Sequence, residues 1–219
     1  MAPRFAFVTI GQTPRDDLIP EILSVLGRGV DVDQLGVLDG LSGDLIGRAA
    51  PGPTRPRLVT RLRDGSQVVL EKTWVQRRLQ AILDEIDPAR YTAVVLLCTG
   101  EFPGLEGPGL FLDAQHLVDF GAAALCSGAR RIGVLLPLSE QAGDFHLHPG
   151  PGQELLFSHA SPYEGDRFRE AARELARSDL IVMHCMGYTE AQRETVASAS
   201  GRPVLLARRL VATALANLL

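Results

Sequence analysis

Ala93-Val-Val-Leu-Leu-Cys98-Thr-Gly100 and Leu180-Ile-Val-Met-His-Cys185-Met-Gly187 are two runs of equal length that reach a cysteine and turn through glycine two residues later. A short, nearly continuous apolar run is the pattern of a strand covered on both faces, as in parallel sheets. Read that way, both thiols emerge at carboxyl ends of strands, where open α/β folds place their active sites.

The flanking sequence agrees. Phe5 to Ile10 is a β-branched and aromatic run that ends at Gly11, and Gln12-Thr-Pro-Arg-Asp-Asp17 follows it. Thr13 as N-cap, Pro14 at the first helical position and Asp16 three residues after the cap predict a helix running to about Leu26. Leu41 to Pro56 is rich in Gly and Pro and reads as irregular and exposed. Leu58-Val-Thr-Arg-Leu and Gln67-Val-Val-Leu around Arg63-Asp-Gly-Ser66 predict a hairpin. Val75, Leu79, Ile82, Leu83 and Ile86 recur at helical spacing before Pro88.

After Cys98 the order repeats. A helix is expected over Gln115 to Gly121, a strand at Arg131-Ile-Gly-Val-Leu-Leu-Pro137, and a helix carrying Phe168, Ala171, Ala172 and Leu175 before the Cys185 run. Pro203-Val-Leu-Leu-Ala and Arg208 to Leu219 close the chain as strand and helix. Repeated alternation of this kind predicts parallel βαβ units. The fold class expected is α/β, with two pseudo-symmetric parallel-sheet halves, about 1–128 and 129–219, and the active site in the cleft between them. The C-terminal segment is a candidate for exchange between halves, and the hairpin is an insertion that only the first half carries.

Composition narrows the function. The 219 residues are 46% apolar and 22% charged with a net charge of -4, and the arginines are scattered among acids, so no nucleic-acid partner is expected. No apolar stretch approaches the roughly 20 residues that span a bilayer, and the opening segment is strand-like, so no membrane association and a cytoplasmic location are expected. Three cysteines without Cys-x-x-Cys spacing argue against a disulfide framework or structural zinc. His146-Leu-His148 lacks an evident third ligand, and no metal is assigned. Neither a Gly-x-Gly-x-x-Gly nor a phosphate-loop motif occurs.

Inverting a carbon beside a carboxylate means removing a proton from one face and returning one to the other, which takes two acid/base groups. Two thiols from two halves supply them, one held as thiolate and one as thiol against an ordinary pKa of about 8.5. Cys126, within Ala-Ala-Ala-Leu-Cys-Ser-Gly, reads as packing. His184 precedes Cys185 along the strand and points to the opposite face, so it is outside the catalytic set.

The chain resembles the AroM family of the aspartate/glutamate/hydantoin racemase superfamily. The likeness lies in Thr9-Ile-Gly-Gln-Thr-Pro-Arg-Asp-Asp17, Leu96-Leu-Cys-Thr-Gly100, Gly133-Val-Leu-Leu-Pro137, His184-Cys-Met-Gly-Tyr188 and Pro203-Val-Leu-Leu-Ala-Arg-Arg-Leu-Val-Ala212. It implies two pseudo-symmetric halves, cofactor-independent proton transfer at carbon and one catalytic cysteine per half, which align with Cys98 and Cys185. Thr99 stands where aspartate-type members carry Asn, which points away from aspartate or glutamate as substrate.

Around the thiols, Gln12, Thr13 and Arg15 are candidates to hold a substrate carboxylate at a helix start. Thr99, Gly100, Met186, Gly187 and Tyr188 are candidates to donate amide or hydroxyl hydrogen bonds to an enolate-like transition state. Loops around Gln12, Asp39, Phe102 and Glu140 would set specificity. The pairs Arg77-Arg78, Arg130-Arg131 and Arg208-Arg209 read as solvated faces or carboxylate partners.

The function expected is a cofactor-independent racemase or epimerase of a small carboxylate or cyclic amino-acid derivative, with Cys98 and Cys185 as acid and base. The alternatives are a lyase or isomerase working through one cysteine, and a non-catalytic small-ligand binder on the same scaffold. A homo-oligomer is compatible with each.

Overall fold

The computed structural model describes residues 2–145 and 150–219, and the chain divides into two compact units, 1–115 with Leu219, and 116–218. The first contains β1 (Arg4–Thr9), α1 (Ile19–Leu26), β2 (Asp31–Gly36), α2 (Gly43–Gly47), β3 (Arg57–Arg61), β4 (Gln67–Glu71), α3 (Lys72–Asp84), β5 (Ala93–Leu96) and β6 (Phe111–Asp113). Helix α4 (Ala114–Leu125) leads into β7 (Arg131–Leu136), β8 (Glu154–His159), α5 (Phe168–Glu174), β9 (Leu180–Met183), α6 (Glu190–Ser200), β10 (Val204–Leu206) and α7 (Ala207–Ala216).

Each unit is built on a four-stranded, wholly parallel sheet. The first has the order β2-β1-β5-β6, and the second, read from its other edge, β8-β7-β9-β10. The two orders correspond strand for strand: β1 to β7, β2 to β8, β5 to β9, β6 to β10. The match extends to single hydrogen bonds beyond the strands. Leu97 N donates to Val8 O at 2.8 Å, and His184 N to Leu135 O at 3.0 Å. Cys98 and Cys185, each one residue further, therefore hold the same position in the two sheets. The hairpin β3-β4 is a separate antiparallel pair with no counterpart in the second unit.

The central strands are buried on both faces because their residues are apolar on both. Phe5 to Val8, Ala93 to Leu96 and Ile132 to Leu136 contribute side chains that are almost wholly excluded from water. Val75, Leu79 and Leu83 of α3 pack with Val94, Leu96 and Cys98 in one core, and Ala171, Ala172 and Leu175 pack with Ile181 and Met183 in another.

Three helices depart from the sequence reading. The helix expected from Thr13 begins at Ile19. The side chain of Asp39 takes the Thr13 amide and hydroxyl at 2.8 and 2.6 Å, and Gln34 takes the Arg15 amide at 2.8 Å, so the capping groups are spent on a loop. The segment 41–56 contains a turn of helix capped by Ser42, and it buries Ile46 and Ala49. Thr189 and Gln192 form a reciprocal capping box that starts α6, which the periodicity had not marked.

Candidate active site

The sequence placed each thiol at the end of a strand, and the structure shows how that end is shaped. In the first unit the chain leaves β5 through Leu97 and turns so that Gly100 N donates to Cys98 Sγ at 3.3 Å. In the second it leaves β9 through His184, and Gly187 N donates to Cys185 Sγ, also at 3.3 Å. A backbone N–H aimed at sulfur favours the thiolate over the thiol, since only the anion gains the full charge–dipole attraction. Cys98 is 7% exposed and Cys185 is half-buried.

Both glycines have close neighbours. A Cβ on Gly100 would lie 2.8 Å from Leu58 Cδ2, and one on Gly187 would lie 2.8 Å from Tyr163 Cζ and 2.9 Å from Pro162 Cγ. Tyr163 thus presses its ring against the Cys185 turn. No sequence pattern singled it out, because the contact joins segments far apart in the chain.

Gln12, Thr13 and Arg15 lie on the loop after β1, beside the strand that delivers Cys98. Gln12 Oε1 accepts from Arg63 N at 2.9 Å, and the Arg63 guanidinium donates to Thr13 O at 2.9 and 2.5 Å, so the hairpin turn clamps this loop. Arg15 is 5% exposed and grips Asp17 in a bidentate pair, both bonds 2.8 Å, while its Nη1 donates to Thr9 Oγ1 at 2.9 Å. Its fork thereby braces the loop to the end of β1. Thr99 and Gly100 are half-buried in the Cys98 turn. Phe102 is core, and Asp39 holds Thr13 to the Gly36 amide, which it accepts at 2.8 Å.

In the second unit Met186 and Tyr188 are buried. The Tyr188 hydroxyl donates to Ala160 O at 2.8 Å, and the ring packs edge-on against Phe168. Burial, followed by the neighbouring Cys185 and Tyr163, pushes the phenol well above its ordinary pKa. Tyr188 is therefore a neutral donor at physiological pH. His184 points away from the thiol, with Nε2 2.8 Å from Asp119 Oδ1 and its ring against Phe145, as the strand alternation requires.

Arg208 departs from its sequence reading as part of a surface pair. It is 1% exposed and donates to the carbonyls of Met186 and Gly187, whereas Arg209 is exposed and pairs with Glu190 at 2.6 Å. Successive helical residues point about 100° apart, so one member of the pair faces the core and the other solvent.

Cys126 behaves as packing. Burial pushes its thiol up to about 11. At pH 8 about one molecule in a thousand would carry the thiolate there. Mass mapping after brief treatment of the native protein with iodoacetamide is expected to find Cys126 unmodified while Cys185 is labelled.

Among the described residues no group of three His, Cys, Asp or Glu side chains is placed to hold a metal ion. His146 and His148 lie outside those residues. No described helix is long and apolar enough to cross a membrane.

The chain resembles several solved structures over nearly its full length. A cysteine-to-serine mutant of maleate cis-trans isomerase from Nocardia farcinica, carrying a covalently bound succinylcysteine intermediate, is 16% identical; the match covers 99% of this chain and 92% of that one with a TM-score of 0.56. Aspartate racemase from Picrophilus torridus is 11% identical over 98% of this chain and 93% of its own, with a TM-score of 0.57. An unliganded arylmalonate decarboxylase is 14% identical over 98% and 92%, with a TM-score of 0.52. At these identities the likeness establishes the fold, that of the aspartate/glutamate racemase-like proteins. No curated protein matches the sequence. The family model described as AroM protein matches residues 5–219, and the chain belongs to the AroM family.

Proposed function

We propose that this protein is a cofactor-independent racemase or epimerase of a small carboxylate or cyclic amino-acid derivative, in which Cys98 and Cys185 serve one substrate as base and acid. The observation that carries the reading is the repeated thiol geometry. Two cysteines occupy the same register position of two matching sheets, and each accepts an N–H from the glycine two residues on at 3.3 Å. A packing cysteine needs no donor aimed at its sulfur. In the proposed step one thiolate takes the α-proton and the thiol on the other face returns one, leaving a neutral thiol and a thiolate with roles exchanged.

A second reading has support from one comparison. The Nocardia farcinica maleate isomerase of the same fold carries a succinyl group on cysteine. By that analogy one thiolate here would add to an activated double bond, the displaced electron pair moving onto the substrate carboxylate, and after rotation about the new single bond that pair would return and expel the thiolate, the other cysteine only shaping the pocket.

Incubation in deuterated water with a panel of amino acids, hydantoins, 2-hydroxy acids and unsaturated dicarboxylates tests both. Deuterium entering the α-position of a substrate with loss of optical purity is the expected result. A covalent protein adduct with a dicarboxylate and no α-exchange would favour the second reading. Neither exchange nor adduct across the panel would contradict both.

A further inference from the structure

The Met186–Gly187 peptide is engaged at both ends. Its N–H donates to Cys185 Sγ at 3.3 Å, and its carbonyl accepts from Arg208 Nε at 3.1 Å and Nη2 at 2.9 Å. Arg208 Nη2 also reaches the next carbonyl, Gly187 O, at 2.9 Å. A buried cation is thus connected to the sulfur through a single planar amide. Polarising the carbonyl strengthens the dipole of the N–H across the same peptide, and hydrogen bonds in series reinforce one another where water is excluded.

The fold does not demand a cation at this place. Arg208 is the second residue of the helix that directly follows the last strand of its sheet, and the equivalent residue of the first unit is Gln115. Both are buried, at 1% and 5% exposure, yet one is charged and the other is a neutral amide.

We infer that Arg208 is a positioning residue for Cys185: it fixes the Met186–Gly187 amide on the sulfur and, through that amide, its charge favours the thiolate. Other titratable and charged groups also surround this turn. Tyr188 is neutral and bonded to Ala160, and Tyr163 presents a phenol against Gly187. The His184–Asp119 pair lies on the opposite face of the strand, and Glu190 at the start of α6 is engaged by Arg193 and Arg209.

The inference rests on Cys185 being a proton-transfer group, but its test needs no substrate. The wild type, Arg208→Met and Arg208→Lys are treated with iodoacetamide from mildly acidic to alkaline pH, and modification at Cys98 and Cys185 is followed separately by peptide mass. In Arg208→Met the Cys185 rate at neutral pH is expected to fall about tenfold, with its pH midpoint moved upward and the Cys98 rate unchanged. Lysine keeps the charge but loses the planar fork, so Arg208→Lys is expected to slow Cys185 by about threefold. An unchanged Cys185 rate and midpoint in Arg208→Lys would overturn the inference even where Arg208→Met fails to fold. So would parallel changes at Cys98 and Cys185, which mark general loosening. Were cysteine variants to retain full turnover, the proposed function would fail while this thiol chemistry stood.

Discussion

Replacing either Cys98 or Cys185 with serine is expected to cut α-proton exchange by about 10²–10⁴, the usual contribution of a positioned acid or base. A serine hydroxyl keeps the approximate shape, but it is too weak an acid to form the anion near neutral pH. In the proposed mechanism each thiol works in turn as acid and base, so the two losses are expected to be of similar size, and thermal unfolding is expected to stay close to that of the parent. Cys126→Ala serves as the control. It removes a thiol that burial holds protonated, so turnover should survive. Strongly unequal losses, with one variant near wild type, would assign the chemistry to a single cysteine and support the covalent reading.

The second large effect concerns the loop after β1. Asp39 accepts from Thr13 N, Thr13 Oγ1 and Gly36 N at 2.8, 2.6 and 2.8 Å, joining the loops that follow β1 and β2. Asp39→Ala leaves two backbone amides of partly buried loops without their acceptor. The expected cost is about 2–4 kcal/mol in urea unfolding, from several charge-assisted hydrogen bonds whose losses are not additive. If the Gln12–Arg15 segment orients substrate, as the proposed function has it, freeing it from Asp39 is also expected to raise KM more than it lowers kcat. Asp16→Ala, on the exposed side of the same loop, is the matched control and should stay within about 0.5 kcal/mol. A cost near 1 kcal/mol at Asp16 would instead indicate that the residue caps a helix starting at Thr13.

The contrast between these two aspartates shows what can be read from the chain. The runs at Phe5, Ala93, Arg131 and Leu180 were legible because a strand buried on both faces needs apolar residues throughout, and few other short segments do. Strand β2, Asp31-Val-Asp-Gln-Leu-Gly36, was not legible: as an edge strand it carries polar residues and lacks a β-branched run. Strand β8 and the short β6 escaped for the same reason of position. The start of α1 was misplaced because Thr13, Pro14 and Asp16 satisfy every local rule for a helix start, and only the distant Asp39 and Gln34 reveal where the loop bonds go.

The candidate site was legible to the same depth. Cys98 and Cys185 could be found by matching strand ends, since the duplication is written into the order of elements. The side chains that shape each turn could not. Tyr163 and Arg208 reach the Cys185 turn from other segments, and nothing in Ala207-Arg-Arg-Leu210 says which arginine faces inward. Arg15 is gripped by Asp17, two residues away, a pairing that sequence proximity permits but does not require.

The central claim is that two thiols share one proton transfer, and the isotope content of early product tests it most directly. The wild-type protein is supplied in deuterated water with one enantiomer of a substrate found in the exchange screen, and both enantiomers are analysed by mass before equilibrium. The product enantiomer is expected to carry solvent deuterium at the inverted carbon while unreacted substrate keeps its hydrogen, because the returning proton comes from a second thiol equilibrated with solvent. Product that retains the original hydrogen would mean that a single group removes and returns the same proton, and would contradict the paired role of Cys98 and Cys185.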